Sequence, residues 1–196
     1  SQVFSEYSYA GANQSAMVGS VVSKTSSESG LFQNPASLAG LEKTILSGQA
    51  TLYNQSYLSY NYLGLVYKLP ILNNIGISYN SSSTNNSGTQ LSSEKVVSFT
   101  KGIFLQKDKN SRLAFGYRLN CLLWEQGQSA GTSGDGSDGF PGHDVSTIGL
   151  DLGVIGGLRE KYWIGGYLSN INSPMINGQN LPRKISISFG FSPLDK

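Results

Sequence analysis

In several stretches of this chain apolar and polar residues take turns one by one. A side-chain period of two can be met only by extended strands with two unlike faces. In 183–192, "RKISISFGFS", Ile185, Ile187, Phe189 and Phe191 share one face, and Lys184, Ser186, Ser188, Gly190 and Ser192 share the other. In 112–123, Leu113, Phe115, Tyr117, Leu119, Cys121 and Leu123 oppose Arg112, Ala114, Gly116, Arg118 and Asn120. The stretches 147–154 and 74–80 alternate as cleanly, and 44–53, 57–68, 94–105 and 162–169 add noisier candidates rich in β-branched and aromatic residues. The reading is all-β with about eight strands, several near the roughly 9–11 residues that a tilted strand needs to cross a bilayer.

The connections carry a second pattern. After the first, short ones ("LPILN", "KDKNS", "REK") alternate with long polar ones at 80–93, 125–144 and 170–182. In an antiparallel meander every second connection emerges on the same side. One rim therefore collects short turns and the other long loops, which is the organisation of outer-membrane barrels. The polar face supports the same expectation. It is Gly, Ser, Asn and Thr with few charges, where a soluble sandwich would carry Lys and Glu. Only 13% of residues are charged, against about a quarter in ordinary soluble domains. Tyr57, Tyr67, Trp124, Tyr162 and Trp163 fall near strand ends, where an interfacial aromatic girdle would sit.

Other functions find little support. The net charge of +2 is scattered in mixed-sign clusters, which argues against nucleic acid as a partner. With one histidine, His143, in a glycine-rich loop, and one cysteine, Cys121, on an apolar face, no catalytic constellation or cofactor site stands out. No apolar run is long enough for a membrane-spanning helix. Asp135, Asp138 and Asp144 cluster near His143 as a weak Ca²⁺ candidate, but their spacing matches no known loop motif, so no metal is expected. Arg112, Arg118 and Asp151 are the charged residues on the polar face, and Arg118 with Asp151 is expected to form a structural pair across a lumen.

One segment is not a strand. In "GLFQNPASLAGL" (30–41), Pro35 lacks an N–H and biases Asn34 away from the α region, after which "ASLAGLE" can wind one or two helical turns with Leu38 and Leu41 on one side. Residues 1–43 thus read as a plug or cap segment, and 44–196 as the strands.

This segment, with the preceding "SAMVGSVVSKTSSES" and the later "GLDLGVIGGLREKYWIGGYLSNI" and "LPRKISISFGFSP", resembles outer-membrane β-barrels of the long-chain fatty-acid transporter (FadL-like) superfamily. The nearest likeness is to the PorV/PorQ-like branch associated with type IX secretion. The resemblance implies an antiparallel transmembrane β-barrel in the bacterial outer membrane, with its long loops extracellular. Asn34, Pro35 and Ala36 would form a plug motif inside the barrel. It further implies a non-enzymatic carrier or adaptor in protein secretion, or a conduit for hydrophobic molecules. The partners would be outer-membrane lipid and secreted proteins or other secretion-system subunits. Members of that family form wider barrels, whereas an eight-stranded barrel has room only for its own side chains. The ending "SPLDK" also lacks a terminal aromatic, so part of a larger barrel, or a homo-oligomer or larger assembly, is expected. The rival reading is a surface or filament-forming structural β protein that assembles through apolar faces and sheet edges. A soluble sandwich lectin is the third.

Overall fold

The computed structural model describes residues 28–52, 58–69, 73–86, 89–129, 131–132, 134 and 137–192. Two 3₁₀ turns, Glu28–Leu31 and Pro35–Gly40, precede ten strands. These are β1 (Ile45–Leu52), β2 (Leu58–Leu69), β3 (Asn73–Asn86), β4 (Thr89–Lys107), β5 (Ser111–Gln126), β6 (His143–Leu158), β7 (Tyr162–Ser169), β8 (Met175–Ile176), β9 (Gln179–Asn180) and β10 (Lys184–Phe191). Eight of them form one antiparallel meander, ordered β1-β2-β3-β4-β5-β6-β7-β10, while β8 and β9 make a separate small hairpin. The protein is thus mostly antiparallel sheet, with β1 and β10 standing as the two edges of that order.

Leu69, Asn73, Lys107, Ser111, Leu158 and Tyr162 mark one end of the strands, here the turn end, and Asn86, Thr89, Gln126, His143, Ser169 and Lys184 the other, the loop end. In the turn at 159–161, Arg159 and Glu160 have φ of 53° and 55°, and Lys161 N–H donates to Leu158 O at 3.1 Å. Two consecutive left-handed residues match the twist of a tight hairpin. The expected long loop at 80–93 is instead mostly strand, because β3 runs to Asn86 and β4 starts at Thr89. Ser81–Asn86 is polar on both faces, so no hydrophobic alternation marks it. Backbone pairing and hydroxyl contacts such as Ser59 Oγ to Ser83 Oγ, 2.7 Å apart, hold it as sheet.

The strands are staggered. A direct cross-strand row runs Tyr67, Ile75, Lys101, Tyr117, Leu152, Leu168, Ile185. It starts two residues from the turn end of β2 and finishes one residue from the loop end of β10. Such progressive offset is the geometry of strands inclined to a common axis.

The two faces differ as the alternation requires. The outer face is apolar and bare. One row across it is Leu46, Leu65, Ile77, Phe99, Leu119 and Leu150, and the next is Leu63, Tyr79, Val97, Cys121 and Ile148. Ile187 and Phe189 of β10 are 66% and 78% exposed on this face. Lys101 is its one charge in the row below. The inner face is covered by the N-terminal segment. Leu31, Leu38, Leu41 and Val66 form a buried cluster with Phe32 and Ile45 against it, and Ala36, Ala114 and Ile155 form another with Phe104 and Trp163.

Candidate functional site

The segment over 28–41 lies across the inner face, and the sequence explains how it gets so close. Asn34, in extended conformation (φ −71°, ψ 106°), caps the second 3₁₀ turn. Its Oδ1 accepts from Ala36 N–H at 3.1 Å, and Pro35 occupies the first helical position, where no N–H is needed. Ser37 Oγ donates back to Asn34 O at 2.7 Å. These local bonds fix the bend that the Asn-Pro-Ala sequence announces.

The seat is a row of glycines. Gly102 on β4 faces Gly116 on β5, which faces Gly153 on β6. A methyl group on Gly102 would stand 2.6 Å from Ala39 N. One on Gly116 would collide with the Pro35–Ala36 peptide, and one on Gly153 with the Asn34 side chain. Three absent side chains side by side make a trough across three strands, and the segment's backbone fills it. Two asparagines hold its ends. Asn34 Nδ2 donates to Val154 O at 3.2 Å and Gly166 O at 3.1 Å, while Asn74 Nδ2 on β3 donates to Leu38 O at 2.5 Å and Leu41 O at 2.7 Å. Asn34, Ala36 and Leu38 are completely buried.

One residue row closer to the loop end lies a charged node. Arg118 and Asp151, directly opposed on β5 and β6, are 5% and 2% exposed. Arg118 Nε and Nη2 donate to Asp151 Oδ2 at 2.9 and 2.6 Å, and Nη2 also meets the Tyr167 hydroxyl. Asn120 Nδ2 donates to the same carboxylate oxygen at 2.9 Å and is itself oriented by Ser98 Oγ, which donates to Asn120 Oδ1 at 2.7 Å. The other carboxylate oxygen accepts from Asn170 N–H at 2.8 Å, which ties the node to the loop at 170–183. Arg118 Nη1, Thr100 Oγ1 and Ser78 Oγ are buried there without a protein hydrogen-bond partner. The node is a polar nook with donor groups to spare. Its one carboxylate is shared, with Arg118, Asn120 and the Tyr167 hydroxyl on one oxygen and Asn170 N–H on the other.

That same loop also covers part of the β6 edge, which extends past the end of β7. Ile171 N–H donates to Leu150 O at 2.9 Å, Asn172 Nδ2 donates to Ile148 O at 2.7 Å, and Asn172 Oδ1 accepts from Leu150 N–H at 2.9 Å. Asn172 thereby does with its amide what a neighbouring strand would do with its backbone.

The structure brings together Asn34, Pro35 and Ala36 in the trough, and Arg118 with Asp151 in the node. Arg112 does not join them. It sits at the start of β5, at the turn end, where its guanidinium pairs with the exposed Glu160 of the 159–161 turn. Of the acidic loop, Asp138 accepts from Thr132 N–H at 3.2 Å, Asp144 lies in β6 opposite Glu125, and Asp135 is outside the described residues. Among the described residues no three metal-ligating side chains converge. Among the expected aromatics, Tyr67 and Tyr162 lie exposed on the outer face. Trp124 instead shares the inner face, opposite Glu94, and Trp163 packs on the Ala36–Ala114–Ile155 cluster. Tyr57 is outside the described residues. The glycine row, Asn74, Tyr167 and Asn172 escaped sequence reading. The glycines were visible as residues, but only the strand register aligns them.

Charge divides between the two ends. The turn end carries Lys43, Lys68, Lys107, Lys109, Arg112, Arg159 and Lys161 against Glu42, Asp108 and Glu160. Among the described residues the loop end has Lys95, Arg183 and Lys184 against Glu94, Glu125, Asp138 and Asp144.

No family model matches the chain, and no curated protein or solved structure matches it.

Proposed function

We propose that this chain forms a wall of an outer-membrane β-barrel with a plug seated inside it, and that it works without enzymatic chemistry as a secretion-associated carrier or adaptor or as a conduit for hydrophobic molecules. The observation that carries this reading is the bare outer face. Leucine, isoleucine, phenylalanine and tyrosine stand exposed in registered rows across the sheet, while the opposite face holds the small and polar residues. A sheet in water would bury those rows. On β5 the apolar set runs from Leu113 to Leu123 and gives way to Glu125. Ten residue steps at about 3.3 Å, inclined by about 40°, give a band about 25 Å tall, the height such barrels present to hydrocarbon. Lys101 fits because its long stem can carry the ammonium toward the polar boundary.

The plug reading rests on the trough. Over the described residues the segment is held by shape, two apolar clusters and a few amide bonds, with no ion pair among them, so it could leave its seat without breaking the strand ladder. The resemblance to PorV/PorQ-like barrels adds the secretion role. A surface or filament-forming β protein is the second reading, favoured by β1 and β10, each paired on one side only among the described residues.

Cys121, the single cysteine, makes the test simple, since it lies exposed in the middle of an apolar outer row. A spin label there, in protein reconstituted into vesicles, should be reached by dissolved oxygen and shielded from a water-soluble nickel chelate. Preferential access by the chelate, or a monodisperse protein in buffer without detergent, would end the membrane reading. Co-purification then separates the two roles, a large protein partner marking the adaptor and bound lipid the conduit.

A further inference from the structure

The turn-end corner of the sheet, where β6, β7 and β10 finish together, contains a feature that the plug and the node do not use. A cavity of about 500 Å³ opens there. Its apolar lining includes Leu158, Tyr162, Ile164, Phe189 and Phe191, with Arg112 as the charged member. Tyr162 and Phe191 stack with ring centroids 5.2 Å apart and form a continuous aromatic wall. Gly156 and Gly157 also line it, and the Trp163 ring lies against Gly157 and adds to the aromatic lining. The volume lies within the roughly 300–1,000 Å³ of small-molecule sites.

We propose that this corner binds one anionic glycerophospholipid, with its acyl region on the Tyr162–Phe191 wall and its phosphate toward the turns at 108–110 and 159–161. The proposal rests on the membrane reading. Charge selects the occupant. Among the described residues the turn end holds seven basic residues against three acidic ones, the reverse of the balance at the loop end. Arg112 is already paired with Glu160, so it supplies position and hydrogen-bond donors, and the attraction comes from the basic residues of the turns, among them Lys109 and Arg159. A phosphate ester at the boundary of a membrane is drawn to such a cluster, and aromatic rings at the same depth favour the interface. A zwitterionic lipid satisfies the apolar wall equally well but gains nothing from the charge.

The test uses the whole chain in detergent, exchanged into vesicles of phosphatidylcholine alone or mixed with phosphatidylglycerol, followed by native mass spectrometry of the lipids retained on release. The expected result is retained phosphatidylglycerol at about fivefold or more over phosphatidylcholine of the same chain length. The double variant Lys109→Gln with Arg159→Gln should abolish that preference, whereas Arg183→Gln with Lys184→Gln at the loop end should leave it unchanged. Equal retention of the two lipids, or a preference that the turn-end variant does not alter, overturns the lipid site while leaving the membrane reading intact. Failure to enter either kind of vesicle overturns both.

Discussion

Two neighbouring regions of the inner face are stabilised in opposite ways. The trough around Gly102, Gly116 and Gly153 has almost no polar chemistry of its own. It is a shape, and Asn34 and Asn74 grip the inserted segment only at its ends. The node around Arg118 and Asp151, one residue row away, consists of charge and hydrogen bonds, with donors left over. A fit of that kind degrades gradually when it is disturbed, whereas a buried ion pair fails abruptly when one partner goes. The inner face therefore carries a charge-held fixture beside a shape-held one, a division that under the proposed reading would suit a plug seated on a barrel wall.

The largest effect is expected at the node. Asp151→Ala leaves the Arg118 guanidinium buried without its counter-charge and should cost about 3–5 kcal/mol, because the penalty is that of an uncompensated ion and not merely of lost bonds. The same change removes the acceptor for Asn170 N–H and should free the loop at 170–183. Unfolding in detergent, followed by circular dichroism against urea, measures the first consequence, and limited proteolysis between 170 and 183 the second. A loss under about 1 kcal/mol, within the range of exposed pairs, would mean that water already reaches the node.

Gly116→Val tests the trough, with a smaller expected loss of about 1–3 kcal/mol, typical of overpacking. The added carbons meet the backbone of Pro35 and Ala36, which cannot rotate aside as a side chain could. The segment should lift while the strand ladder stays, since valine suits a strand. The diagnostic result is hydrogen exchange that rises at Ala36 and Leu41 and stays unchanged in β5. If β5 exchanged equally fast, the trough would be part of the wall's own stability and the contrast with the node would fail.

How much of this was legible beforehand follows from the range over which each signal acts. The alternation in β5, β6 and β10 was plain because their two faces differ sharply in polarity. The bend at Asn34-Pro35 was plain because capping and the missing N–H are local. The extension of β3 and β4 was not, since Ser81–Asn86 is polar on both faces and a period of two leaves no trace there. The faces of Tyr162 and Trp163 were ambiguous because two adjacent aromatics read the same whichever way the pleat falls, and the partner cluster at Ala36 and Ala114 decided it. Parity gave the face of Arg112, but not its partner, because Glu160 lies 48 residues away in a turn. Arg118 and Asp151 were foreseen as a pair, yet their anchoring of Asn170 requires the loop's path, which no local pattern encodes.

The finest test concerns the Asn34 amide, which joins the inserted segment to β6 and β7. Asn34→Ala removes two donors, to Val154 O and Gly166 O, and the acceptor that caps the 3₁₀ turn at Ala36 N–H. Removing such a cap and its bonds typically costs about 1–2 kcal/mol. That cost should fall on seating and not on folding. The segment keeps its apolar grip through Leu31, Leu38 and Leu41, so global unfolding should shift little, while exchange at Ala36 N–H should rise about tenfold, the equivalent of roughly 1.4 kcal/mol. Asn34→Asp sharpens the comparison, because it retains the capping acceptor but presents a carboxylate to two carbonyl oxygens and so should unseat the segment more than alanine does. If alanine and aspartate behaved alike and both lowered global stability, the segment would be a structural part of the sheet, and the distinction between a fixed node and a movable plug would have to be abandoned.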